Sequence, residues 1–151
     1  CGSSTKVSKE FSELVKGNIA CTIRPFFQSY KFIKSEDGKD SSKELPFVII
    51  GSGLGAIEIA FALRKRWKNR KLVLVCEQEK ISYKFLRSLR IFNIEIMKDI
   101  NFPYSKILLC TGNGPHNWIK KNTLELDSSG RIITDNRRSS RQSYYLGKLQ
   151  A

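Results

Sequence analysis

Long apolar runs are missing from this 151-residue sequence. Its apolar stretches, such as residues 47–50 and 107–110, fall far short of the roughly 20 residues that a bilayer-spanning helix needs. The sequence therefore predicts no membrane span. An initiating methionine and a signal-peptide pattern are also missing, so we expect a piece cut from a longer chain.

Paired cysteines are missing as well. Cys1, Cys21, Cys76 and Cys110 form no Cys-x-x-Cys pair, so disulfide reduction is not predicted. Cys76 and Cys110 each end an apolar strand-like run, where a buried, inert thiol is the ordinary interpretation. We therefore expect a reducing, cytoplasmic location.

Histidine is nearly absent, and no zinc-ligand spacing is present. His116 is the only histidine, in a loop after a proline, where it is either a surface residue or an acid/base group. No metal site is predicted, and the catalytic residues stay unknown.

Acidic residues are few: 14 Asp and Glu stand against 27 Lys and Arg, which gives a formal charge of +13. This excess predicts a solvated basic surface, and the alternatives are a nucleic-acid patch or a contact with an acidic partner. Nucleic acid is not the favoured partner, because no RNA-binding motif with interleaved aromatics accompanies the charge. One basic cluster lies where a helix should end and meet its negative pole: Arg64, Lys65, Arg66, Lys68, Arg70 and Lys71.

Short apolar runs alternate with helical patterns in the middle of the chain. Strands are predicted at residues 47–50, 72–76, 94–97 and 107–110, and helices at residues 54–67 and 83–92. This alternation predicts an α/β fold with a parallel sheet. Before it, residues 1–45 are predicted to form an arm that ends in a polar, solvated linker at residues 35–43.

A glycine loop follows the first of these strands and opens the first helix. A loop of this kind binds a dinucleotide pyrophosphate, because its backbone N–H groups and the helix end face the phosphates. Gly51 permits the tight turn, Gly53 lets the backbone approach the ligand, and Ala56 is small enough for helix–strand packing. The alternative is a glycine turn that binds nothing. The predicted loop is Gly51-Ser52-Gly53-Leu54-Gly55-Ala56.

An acidic residue ends the second of these strands. Glu77 is the candidate ligand of the adenosine ribose, since a carboxylate there accepts hydrogen bonds from the hydroxyls and repels a 2′-phosphate. We therefore expect NAD(H) to be preferred over NADP(H). Two alternatives stay open: Lys80 could partner a phosphate, and Glu77 could be an ordinary exposed acid.

The residues around this loop resemble a known family. The run Val48-Ile49-Ile50-Gly51-Ser52-Gly53-Leu54-Gly55-Ala56-Ile57-Glu58 is similar to the NAD(P)-binding segment of the FAD-dependent pyridine nucleotide-disulfide oxidoreductases. The resemblance implies that Glu58 orients the nicotinamide end, although an exposed polar residue on the helix would look the same. Leu108-Leu109-Cys110-Thr111-Gly112-Asn113-Gly114-Pro115 resembles the family's Ala-Thr-Gly segment. That likeness implies that three residues pack near the bound cofactor: Thr111, Gly112 and Asn113.

A Gly-Ser-x-Thr segment at residues 2–5, the pair Arg24-Pro25 and the glycine loop follow one another in this sequence. In this order they resemble the NADH dehydrogenase-like domains that precede selenide, water dikinase. The resemblance implies a Rossmann-like, shortened NAD(P)-binding domain at residues 46–123, with residues 124–151 leading toward a flavin domain. The family's first flavin-binding glycine motif is absent, and Lys148 replaces the acid that holds the flavin. FAD is therefore expected in the full-length protein rather than in this chain alone.

Two functions follow from the resemblance. The first is the NAD(P)H-binding part of an FAD-linked oxidoreductase, which passes hydride from NADH to flavin in a missing flavin domain. The alternative is a degenerate, non-catalytic nucleotide-binding module that regulates or scaffolds a fused selenide, water dikinase.

Overall fold

The computed structural model describes residues 4–5, 7–114 and 128. Residues Thr5–Gly112 form one compact unit. His116, Lys148 and the predicted segment 124–151, apart from residue 128, lie outside the described residues.

The described residues form four helices, seven strands and a short 3-10 turn at Gln78–Lys80. The helices are α1 (Lys9–Lys16), α2 (Phe26–Lys34), α3 (Leu54–Arg66) and α4 (Tyr83–Ile91). The strands are β1 (Ser4–Thr5), β2 (Ala20–Thr22), β3 (Phe47–Ile50), β4 (Leu72–Val75), β5 (Ile94–Met97), β6 (Lys106–Leu109) and β7 (Asn113–Gly114).

The main sheet has five strands in the order β2-β6-β3-β4-β5, and every neighbouring pair is parallel. The two-residue strands β1 and β7 pair with each other in a separate sheet. The predicted parallel α/β architecture is confirmed, while its Rossmann-like assignment stays a prediction. The domain boundary at residue 45 also stays a prediction, although β2 comes from the segment before it and pairs with β6.

Helices α2, α3 and α4 cover one face of the sheet. On α3, a stripe of apolar residues at helical spacing faces the strands. Ala56, Ile57, Ala60 and Leu63 are all buried, and they join alternate residues of the strands in one core cluster. The opposite residues of the strands, such as Val48 and Val73, form a second cluster that α1 covers. The central strands β3 and β4 are apolar at every position, as expected for strands covered on both faces.

The amino end of the sheet contains a charged network that the sequence interpretation missed. Arg70 and Glu36 were expected on a solvated surface and in a solvated linker, but both are buried. The Arg70 Nη2 donates to Glu36 Oε2 at 2.7 Å and to Ser105 Oγ at 2.8 Å. Its Nη1 donates to the carbonyls of Glu36 and Lys39. The expectation of a solvated surface is therefore wrong for these two residues, because the two buried charges pair with each other, and Lys39 and Lys106 also pair with Glu36.

Arg64 is a second departure from the expected basic surface. Its Nη1 donates to the carbonyls of Trp67, Lys68 and Arg70 at 2.9–3.1 Å, and its Nη2 donates to the Asn93 carbonyl at 2.7 Å. Arg64 therefore satisfies backbone carbonyls beyond the end of α3 rather than facing solvent freely.

Candidate functional site

A cleft of about 560 Å³ lies at the carboxyl end of the sheet. Residues that directly follow three neighbouring strands line it: 51–53 after β3, 76–77 after β4 and 110–112 after β6. Lys80 and Lys98 complete its polar wall. The cleft forms here because parallel strands deliver their following loops to the same edge of the sheet.

The position of the cleft matches the place where α/β sheets bind ligands. From β3 the chain proceeds to β4 and β5 on one side, whereas β6 lies on the other side of β3. The strand order therefore switches between β3 and β6, where a crevice is expected, and the cleft is lined by residues that follow both strands.

Gly51 is required by the fold itself. Its φ is +151°, and a Cβ at this position would lie 2.4 Å from the Cys110 carbonyl oxygen. Its N–H donates to the Val75 carbonyl at 3.0 Å. A side chain at position 51 would thus collide with the backbone that follows β6.

At positions 53 and 55, by contrast, the fold does not require glycine. A Cβ at either position would meet no atom within 4 Å among the described residues. Gly53 precedes α3 with φ −80°, an ordinary value for any residue. Neither packing within this unit nor backbone conformation requires glycine at these two positions, so the space beside them is available to a ligand.

The N-terminus of α3 faces the cleft with unsatisfied donors. The N–H groups of Ala56 and Ile57 donate to the Gly53 carbonyl. For the N–H groups of Leu54 and Gly55, the described part of the chain provides no acceptor, as is typical of a first helical turn without a cap. These two donors and the positive helix pole suit an anionic group.

A hydrogen bond joins the glycine loop to the residue that follows Cys76 at the end of β4. The Glu77 N–H donates to Ser52 Oγ at 3.2 Å. The 3-10 turn then brings Lys80 Nζ to 2.6 Å from Glu77 Oε2, and both side chains are largely exposed. The predicted ribose acid therefore carries a cationic neighbour at the cleft wall.

Two thiols line the cleft, Cys76 and Cys110. Burial raises the pKa of the Cys76 thiol and raises that of Cys110 to about 12. Both thiols are therefore protonated at neutral pH and lack the thiolate that nucleophilic or redox chemistry needs. They contribute apolar surface to the cleft.

The structure brings together six of the predicted site residues in the cleft lining: Gly51, Ser52, Gly53, Glu77, Thr111 and Gly112. Leu54, Gly55 and Ala56 lie in the first turn of α3, where the Ala56 side chain is buried and that of Leu54 is exposed. Glu58 is exposed on α3, away from the described lining. For Asn113 the backbone lies in β7, and its side chain lies outside the described residues.

Lys98 was not among the predicted site residues. It is one residue beyond β5, whose carboxyl end lies at the same edge as the glycine loop. The rule that parallel strands deliver their following residues to one edge was a signal that could have identified it.

The chain matches no protein-family model, and no curated protein is significantly similar to it. The family resemblance of the glycine loop therefore stays a prediction, and the geometry of the cleft is the main support for a function. Among the described helices, none has the length and apolar character that crossing a membrane requires.

Proposed function

We propose that this chain binds NAD(H) in the cleft at the carboxyl end of the sheet, on a Rossmann-like fold. The observation that carries the proposal is the open space beside Gly53, next to the uncapped N-terminus of α3. A pyrophosphate needs this combination, because a Cβ at position 53 would occupy the approach to the helix N–H groups.

The adenosine half of the ligand is assigned to the wall formed after β4. The Glu77 carboxylate has lone pairs beyond those used by Lys80, and these accept hydrogen bonds from ribose hydroxyls. Its negative charge opposes a 2′-phosphate, which supports NAD(H) over NADP(H). Lys80 reduces that opposition, so we expect a preference rather than complete exclusion.

The proposed role is the NAD(P)H-binding part of an FAD-linked oxidoreductase, similar to the pyridine nucleotide-disulfide oxidoreductases. Bound NADH supplies a hydride, and this chain's residues bind and orient it. Thr111 and Gly112 line the cleft beside β6. A role of Glu58 at the nicotinamide end is supported by the family resemblance alone, because Glu58 is outside the described lining.

The described residues contain one glycine loop between a strand and a helix, and we assign it to the nicotinamide cofactor. They offer no second loop of this kind for FAD. The proposal therefore assigns the flavin that accepts the hydride to the full-length protein, and this chain's own part is to hold the donor.

The test is a fluorescence titration of the protein with NADH and with NADPH. We expect wild type to bind NADH more tightly, and Gly53→Val to weaken NADH binding by more than about tenfold while unfolding as wild type does. Gly38→Val is the matched control, because a Cβ at Gly38 also meets no atom within 4 Å, yet Gly38 is outside the cleft.

Normal NADH binding by Gly53→Val would show that the loop assignment is wrong. Tighter binding of NADPH than of NADH would overturn the cofactor preference. For the full-length protein, NADH-dependent bleaching of a yellow flavin supports the oxidoreductase. Colourless protein that binds NADH without turnover instead supports the alternative, a non-catalytic nucleotide-binding module.

A further inference from the structure

A second concave surface lies between α3 and α4, and it shares no residue with the cleft. This groove has a volume of about 610 Å³. Its floor consists of Phe61, Phe85 and Phe92. The rings of Phe61 and Phe92 pack edge to face with centroids 5.5 Å apart, and Phe92 is still 53% exposed. The groove therefore exposes aromatic surface that burial would stabilise.

Cations surround this aromatic floor. Lys65 and Lys68 lie on the α3 side, and Lys84 lies on the α4 side. None of the described residues that line the groove carries a carboxylate. Within the described part of the chain these three lysines also form no ion pair, unlike Lys71 and Lys80.

Arg64 lines the groove but has a different role. Its guanidinium donates to four backbone carbonyls, and burial lowers its pKa, the nearby Asp40 charge acting in the opposite direction. These carbonyls use its Nη donors, so the groups still free to bind an anion are the ammonium groups of the three lysines.

We propose that this groove binds a small anionic amphiphile, with its apolar body on the three phenylalanines and its carboxylate among the lysines. Charge complementarity is the first argument, since an acid head compensates three unpaired cations beside an apolar floor. Size is the second argument, because 610 Å³ falls in the range of roughly 300–1,000 Å³ typical of small-molecule sites.

A protein partner fits the groove less well. The seven-residue separation of Phe85 and Phe92 spans about 10 Å of helix. A stable protein interface buries about 800 Å² on each partner, which needs a longer surface than this. The site is independent of dinucleotide binding, so its test stands apart from that of the proposed function.

Dodecanoate below its micelle concentration is the probe, with calorimetry for affinity and amide chemical shifts for location. We expect one molecule to bind, with shifts concentrated in residues 61–68 and 84–92. Acetate, which lacks the tail, and dodecyltrimethylammonium, which has the opposite charge, should bind at least about tenfold more weakly.

Two double variants separate the site from the general positive charge of the chain. Lys65→Glu/Lys84→Glu should weaken dodecanoate binding about tenfold, because two attractions become repulsions. Lys9→Glu/Lys43→Glu changes the net charge equally, but neither residue lines the groove, and it should bind as wild type does. Unfolding curves check that both variants are folded.

Equal effects of the two double variants would overturn the proposal, as would shifts confined to the glycine-loop cleft. Equal binding of the cationic amphiphile would do the same. Tighter binding of a twelve-residue Leu/Glu helical peptide than of dodecanoate would also overturn it, because the groove would then be a protein-docking surface.

Discussion

At the amino end of the parallel sheet a buried arginine meets a buried glutamate, whereas at the carboxyl end the loops after the strands leave a cleft. Arg70 has two side-chain partners and two carbonyl partners, at distances of 2.7–3.3 Å, and its buried Nε–H has no acceptor among the described residues. At the carboxyl end, the N–H groups of Leu54 and Gly55 have no acceptor among the described residues.

The two ends therefore use polar groups for different purposes. Buried charges that are paired with each other fix the positions of the loops that carry them, since leaving one charge alone is costly. Donors at an open edge cost little, because water can accept from them, and they stay available to an anionic ligand. We therefore expect changes at the amino end to affect folding and changes at the carboxyl end to affect the proposed binding of NAD(H).

The largest expected effect is at the amino end. Arg70→Met should destabilise the fold by about 3 kcal/mol or more, because the buried Glu36 would lose its buried partner and keep only Lys39 and Lys106. Urea denaturation measures this free energy of unfolding. Lys71→Met is the control, since Lys71 pairs with Glu95 at the surface, and its loss should cost less than about 1 kcal/mol.

Equal losses in Arg70→Met and Lys71→Met would contradict the distinction between buried and exposed pairs. If Arg70→Met were fully stable but failed to bind NADH, the comparison itself would be wrong, because binding would then depend on the amino end.

The second prediction compares Gly51, which the fold requires, with Gly53, which we assign to ligand binding. Gly51→Ala should destabilise the fold by about 2–3 kcal/mol, because its Cβ would meet the Cys110 carbonyl oxygen at a strained φ. Gly53→Ala should stay within about 1 kcal/mol of wild type, because φ is ordinary and the space is open.

Urea denaturation of both variants provides the comparison, with NADH titration beside it. The expected pattern is that Gly51→Ala loses mainly stability and Gly53→Ala mainly affinity. If Gly53→Ala were the less stable variant, the open space beside Gly53 would have a structural role instead.

The strands and helices could be predicted because their signals are local. The run Phe47–Ile50 and the helical spacing of Ile57, Ala60 and Leu63 depend on neighbours in the sequence, and the structure has these elements within one or two residues of the predicted bounds. The glycine loop was predictable for the same reason, since strand, turn and helix follow one another directly.

Contacts between distant residues could not be predicted in this way. Glu36 and Arg70 are 34 positions apart, and each lies in a polar segment whose composition is typical of solvent-exposed chain. Only the fold shows that the two segments meet. The same holds for β2, whose pairing with β6 joins residues about 87 positions apart.

The smallest expected effect is the loss of stability in acid that arises from the amino end of the sheet. Burial alone would raise the pKa of the Glu36 carboxyl, but hydrogen bonds from Lys39 and Arg70, together with their charges, outweigh burial and lower it from 4.5. The folded state therefore binds this proton less readily than the unfolded state. The stabilisation is present above the unfolded pKa and is lost as the pH falls through the folded pKa.

Urea denaturation at neutral pH and at a series of values below 4.5 should show this loss in wild type. Glu36→Gln should lose less stability over the same interval, although it starts from a lower value at neutral pH because Arg70 then lacks its charged partner. Parallel curves for the two proteins would show that the acid response arises elsewhere in the chain, and the amino end would then lose its assigned role in acid stability.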